Sequence, residues 1–205
     1  SHRQASGKPK LGLGVTWRSV AAGLYNTAGI DSDGRLHVWG WNDPLVRKQV
    51  SGKPMLEPGL TWRSVAAGLY HMAGIASDGQ LHVWGRDDHK QVSGKPELQP
   101  GVSWRSVAAG LYNTAGIDSE GMLHVWGTDE HKHSGVLVFA QVPGKPEFEL
   151  GVTWRSVAAG LYNTAGIDSD GRLHVWGWND PLVRKQVSGK PMLEPGLTWR
   201  SVAAG

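Results

Sequence analysis

His131 and His133 stand two residues apart beside Asp129 and Glu130 in the segment TDEHKHSGVLVFA. Imidazole and carboxylate at that spacing are donors for zinc or nickel. No second cluster supplies a dependable fourth ligand, and the chain has no cysteine to do so. The segment therefore reads as a solvated charged loop, with no metal or cofactor expected. Its apolar tail VLVFA reads as an interaction surface or an extended outer strand. Trp41 and Trp178 each follow a strand-ending glycine and enter a loop, where a flat indole offers a stacking face for a ligand. Asp87 and Asp88, with His89, occupy the corresponding loop of another segment, and Asp43 occupies a third. Together these place acidic groups on one rim, which suits a basic partner or simply keeps the rim wet.

Serine, aspartate and histidine also fall close together, as Ser32, Asp33 and His37. Catalysis needs one asymmetric set of nucleophile, base and orienter. Here the set recurs because the sequence recurs, so an enzyme is not expected. His37, His82, His124 and His174 recur in the same way. They read as structural hydrogen-bonding groups and not as a ring of metal ligands.

The recurrence is the dominant feature. Aligned on the tryptophan of WRSVAAG, units start near Trp17, Trp62, Trp104, Trp154 and Trp199, at intervals of 45, 42, 50 and 45 residues. Such a period matches blades of a propeller, each too small to bury both faces alone. Over this pattern lies a longer one: residues 13–68 are identical to residues 150–205, at an offset of 137. Recent amplification or deliberate assembly would both leave that identity.

Within a unit, alternation predicts a first strand WRSVAAG with Trp17, Ser19 and Ala21 on one face and Arg18, Val20 and Ala22 on the other. Its small residues suit the crowded axis of a propeller. NTAGIDS predicts a second strand and SDG at Ser32–Gly34 a hairpin turn in which glycine takes positive φ. RLHVWG predicts a third strand, with Leu36 and Val38 opposite His37 and Trp39. KQVSGKP from Lys48 predicts a short fourth strand that Pro54 ends. The expected fold is all-β: one propeller array over residues 1–205, of four complete four-stranded blades plus extra terminal strands. Nine of the eleven tryptophans fall in WRSV or HVWG, where packing between blades accounts for them.

The chain begins on an outer strand, QASGKP, and ends on an inner one. An inner strand with unpaired backbone groups is a template for another chain, so a homo-oligomer formed by docking or exchange of terminal strands is expected. The formal net charge of +3 is spread without a basic block, so nucleic acid is not expected as a partner. No apolar run is long enough to cross a bilayer and SHRQ opens the chain without a charged-then-apolar leader, which predicts a soluble protein with no membrane partner.

The pattern W-x-x-V-A-A-G followed by D-G-x-L-x-V-W-G resembles the repeats of the regulator of chromosome condensation family. That resemblance implies a β-propeller, of about seven blades in the family, used for binding. Similar repeats build a bacterial inhibitor of β-lactamases. Two departures stand out: Asn26, Asn113 and Asn163 replace a histidine kept only as His71, and WNDPLVRKQV or RDDHKQV replaces the family's NxxGQLG. The exchange-factor activity of the founding member has no residue here to carry it. QVPGKP at Gln141 and AGID also resemble tectonin lectin repeats, which implies sugar binding. The function expected is thus non-enzymatic binding of a protein through rim loops, with a lectin or a repeat protein lacking any ligand as alternatives.

Overall fold

The structure is a computed structural model that describes residues 7–40, 47–127, 131–133, 136–138, 146, 151–161, 163–177, 193–194 and 197–203. Unit 1 is an antiparallel sheet in the order β1 (Trp17–Ala22), β2 (Asn26–Asp31), β3 (Leu36–Gly40). A single helical turn, α1 (Arg47–Ser51), follows. Unit 2 repeats the sheet as β4 (Trp62–Ala67), β5 (His71–Ala76) and β6 (Leu81–Gly85), and unit 3 as β7 (Trp104–Ala109), β8 (Asn113–Asp118) and β9 (Leu123–Gly127). A separate hairpin of β10 (His131–His133) and β11 (Val136–Val138) lies in the long insertion. Unit 4 comprises β12 (Trp154–Ala159), β13 (Asn163–Asp168) and β14 (Leu173–Gly177).

The turn between the second and third strands forms as the SDG pattern demands. Asp31 Oδ1 accepts the backbone N–H groups of Asp33 and Arg35 at 3.0 and 2.9 Å, an Asx turn that folds the chain back. Gly34 completes it at φ +77°, which a side chain would strain. Its carbonyl then accepts the N–H of Trp62 at 2.8 Å, handing the chain to the next unit.

Strict alternation fails in the first strand. The register steps from Trp17 opposite Asp31 to Ser19 opposite Ile30, and the same shift recurs at Trp62, Trp104 and Trp154. Arg18 is therefore the extra residue of a β-bulge, which changes the phase of the pleat. The tryptophan moves to the side of the valine and the second alanine: Trp62, Val65 and Ala67 pack together against Ala28, Ile30 and Leu36 of unit 1. This corrects the faces expected from sequence.

Each unit thus has two apolar faces. One carries the two tryptophans and the valine of the first strand; the opposite one carries Ala28, Ile30, Leu36 and Val38 or their counterparts. Units stack tryptophan face onto opposite face, as Trp104 and Trp126 do on Ala73, Ile75 and Leu81, and as Trp154 and Trp176 do on Ala115, Ile117 and Leu123. Burying each tryptophan contributes roughly 2–3 kcal/mol. The glycine in the middle of the second strand makes room, since a Cβ on Gly116 would lie 2.4 Å from the Trp104 ring. First strands of successive units run side by side, and a Cβ on Gly68 would meet the Gly110 carbonyl oxygen at 2.5 Å. The small residues do mark the innermost strand.

The sheets of the four units have three strands each among the described residues, not four. The segment expected as a fourth strand is α1 in unit 1 and a run of turns over residues 88–94 in unit 2. Its backbone bonds sideways to the next unit instead of to the third strand. The carbonyls of Gln49 and Gln91 accept the indole N–H of Trp84 and Trp126 at 2.8 and 3.0 Å. The lysine of GKP does hold to its own sheet, Lys53 Nζ donating to the Leu36 carbonyl at 2.8 Å and Lys95 Nζ to that of Leu81 at 2.9 Å. Residues 197–203 do not form a strand but lie on unit 4 of the same chain, with Trp199 N–H donating to Gly171 at 2.9 Å and Trp199 and Val202 packed on Ala165, Ile167 and Leu173.

Candidate functional site

The loops of a unit sort onto two rims. The SDG turns occupy one. The other carries the Gly-Leu-Tyr link between first and second strands together with the segment after the third strand, where every candidate residue named above falls in sequence. At the end of the four first strands, on this rim, the alanine and glycine of each unit, with Leu24, Leu69 and Leu161, line an open apolar depression of about 260 Å³. Leu69 is buried there, whereas Leu24 and Leu161 are exposed.

Outside the depression runs a ladder of tyrosines. Tyr25 and Tyr70 have ring centroids 6.4 Å apart; Tyr70 and Tyr112 stack at 5.7 Å and 27°. The Arg86 guanidinium sits 5.0 Å above the Tyr70 ring, within cation–π range, and His89 lies 4.2 Å from Tyr112. All three tyrosines are half-buried. Sequence reading passed over them, although the four tyrosines of the chain fall at this one position of the four units.

The acidic pair sits beside the ladder and is bonded within its own loop. Asp87 Oδ1 accepts the N–H groups of Val92 and Ser93 at 2.8 and 2.9 Å. Burial works against its ionisation, yet these bonds, the Ser93 hydroxyl and the nearby His71 hold the carboxyl below the usual carboxylate range. Asp88 pairs with Arg86. Asp87 shapes the loop, then, and Asp88 orients the arginine over the tyrosine. Burial and Arg86 together push the His89 imidazole down, with Asp88 opposing. Trp41, Trp178, Asp129 and Glu130 lie outside the described residues. His131 and His133 lie on β10, but the positions of their side chains are likewise outside them. Among the described residues no histidine and carboxylate cluster has the makings of a metal site.

Beneath the ladder the junction of units 2 and 3 is polar. His71, fully buried, places Nε2 2.8 Å from Thr114 Oγ1. The Thr114 hydroxyl spends its one proton on the Gln91 carbonyl at 2.9 Å, so it must accept from His71, and Nε2 carries the hydrogen. His71 Nδ1 has no partner. Burial pushes this imidazole down to about 4, with Asp87 pulling the other way. At the preceding junction buried Gln49 accepts from Asn26 Nδ2 and donates to the His71 carbonyl at 3.3 Å. The recurring glutamine is thus a latch between units, a role its burial in a polar motif alone did not disclose.

The third-strand histidines are structural. His37, His124 and His174 place Nε2 2.7 to 2.8 Å from Asp31, Asp118 and Asp168, while each ring meets the first-strand tryptophan edge-on. Burial disfavours the charged form of Asp31 and Asp168, but the histidine and the turn's N–H groups prevail and lower both carboxyls. Unit 2 has Ala76 in the aspartate's place. There burial and Lys95 push His82 down, against Asp78.

Comparison with known proteins agrees with this architecture. The family model described as the regulator of chromosome condensation (RCC1) repeat matches residues 17–43, 62–91 and 154–180. No curated protein sequence matches the chain. Among solved structures, Prp20p of Saccharomyces cerevisiae is 20% identical with a TM-score of 0.62, over 82% of this chain and 44% of its own. Human WBSCR16 is 23% identical with a TM-score of 0.57, over 79% and 48%. The ectodomain of the Physcomitrella patens receptor kinase CR4 is 23% identical with a TM-score of 0.58, over 79% and 38%. The chain spans less than half the length of each, and at these identities the likeness is one of fold. No helix among the described residues is long and apolar enough to cross a membrane. Three stretches of the chain thus match the regulator of chromosome condensation repeat, and its units stack in the manner of propeller blades.

Proposed function

We propose that this protein is a non-enzymatic scaffold that binds a protein partner on the tyrosine-bearing rim. The observation that carries the reading is the ladder Tyr25, Tyr70, Tyr112 with Arg86 held over its middle ring. Tyrosine and arginine dominate the residues that anchor protein interfaces, because each presents a large rigid surface with a polar tip. The apolar depression beside the ladder offers a place for a projecting side chain. The structure of Prp20p is described together with binding to Gsp1p and histones, which shows this fold in such a role in another protein.

Affinity capture with the chain as bait, followed by mass spectrometry, tests the reading. A protein retained by the wild type and by Glu120→Lys on the opposite rim, yet lost with Tyr70→Ser and with Arg86→Ala, supports it. Partners indifferent to both rim variants, or binding to a glycan array in place of protein, overturn it; the second outcome would favour a lectin.

A further inference from the structure

The charges on the loop after β6 can be followed one by one. Asp87 is taken up by the loop's own backbone, through the N–H groups of Val92 and Ser93 and the Ser93 hydroxyl. Asp88 is paired with Arg86, whose guanidinium also lies over Tyr70. His89 rests against Tyr112. What remains is Lys90, which is exposed and whose ammonium group has no partner among the described residues. Both carboxylates beside the ladder are thus spent within the loop, and the one charge left over is a cation.

The backbone fixes where that cation starts. Among the described residues every positive φ belongs to a glycine except that of Lys90, at +57°, a conformation that a side chain disfavours. Surrounding bonds hold it there: the Lys90 N–H donates to the Asp87 carbonyl at 3.0 Å, and the Gly94 N–H donates to the Lys90 carbonyl at 2.9 Å. Lys48, which precedes Gln49 in unit 1 as Lys90 precedes Gln91 in unit 2, lies in the helical turn α1. The stretch from strand to glutamine is shorter in unit 2, and the tighter loop turns the lysine left-handed. We propose that the protein bound on the tyrosine rim presents an acidic segment, with a carboxylate set against Lys90 beside Tyr70 and Tyr112. This rests on the rim being the binding surface, and it names the charge of what binds. Opposite charge across an interface speeds encounter and fixes register. A basic segment would meet a cation without a counter-ion, and a nucleic-acid backbone needs a row of cations where this loop has one to spare.

Titration of the full chain with a blocked glutamate hexapeptide at low ionic strength, followed by amide chemical shifts, tests the proposal. A blocked lysine hexapeptide and a short single-stranded oligonucleotide serve as the alternatives. The glutamate peptide should bind most tightly of the three and shift resonances of residues 86–94, Tyr70 and Tyr112. Lys90→Gly suits the left-handed backbone, so the fold survives, and binding should weaken about threefold or more. Lys90→Glu should weaken it about tenfold or more, while Lys90→Arg should bind as the wild type does. A glutamate peptide that fails to bind or that binds Lys90→Gly as tightly as the wild type would overturn the proposal, as would tighter binding of the lysine peptide or the oligonucleotide. A captured protein that is lost with Tyr70→Ser yet kept by Lys90→Glu would overturn it too, while leaving the scaffold reading intact.

Discussion

Replacing His71 by asparagine, the residue at this position in the other three units, should flatten the loss of stability in mild acid. His71 is fully buried, donates to Thr114 and has a bare Nδ1. Its pKa falls to about 4 from an ordinary 6.5. The unfolded chain takes up this proton in a pH range where the native state refuses it. The native state is thus favoured in full above the unfolded value and loses that advantage as pH falls from about 6.5 towards 4. Across the whole window the loss is about 3 kcal/mol, and between about pH 7.5 and pH 5 it is about 2 kcal/mol. Urea unfolding followed by tryptophan fluorescence at those two pH values gives the difference for each protein. Asparagine also changes the bond to Thr114, but that effect is present at both pH values and cancels. The wild type should lose about 2 kcal/mol more than His71→Asn on acidification, or about 4–8 °C in midpoint for a chain of this size. Equal losses would refute the tautomer and the burial argument together.

Three further outcomes follow from the junctions and turns. Ala76→Asp should supply the carboxylate that unit 2 lacks, raising the thermal midpoint by the equivalent of about 1 kcal/mol and raising the His82 pKa in an NMR titration. Gln49→Ala should cost about 1–3 kcal/mol in urea unfolding, because it strands the buried Asn26 amide, whereas the His71 carbonyl keeps the Gly68 N–H. Gly116→Ala should cost about 2 kcal/mol or more by the same measurement, since its new methyl group meets the ring of the buried Trp104.

The sequence disclosed whatever is set by local chemistry or by period. The SDG turn, the glycine with positive φ, the innermost position of WRSVAAG and the packing between units of seven of the nine repeat tryptophans could all be read from spacing. The faces of the first strand could not, because a bulge adds one residue at Arg18 without leaving a mark on the alternation. The fourth strand was misjudged for a related reason: QVSGKP has strand-like residues, but the bonds that decide its shape run from Gln49 and Gln91 to tryptophans thirty-five residues away. Of the candidate site, charge alone pointed to Asp87 and Asp88 as rim residues facing a basic partner or water, and the bonds by which they shape the loop and hold Arg86 became visible only in the structure. The tyrosine ladder emerged only once stacking brought one residue per unit into register.

The glutamine latch has a bearing on how such a chain can change. Stitching between neighbours is done by a residue a variable distance after the tryptophan-glycine step: Gln49 lies nine positions beyond Gly40, and Gln91 only six beyond Gly85. What lies between can lengthen, shorten or be exchanged while the seam stays closed. Each such stretch is in effect a replaceable cassette, and new recognition loops grafted there should leave the rest of the array undisturbed.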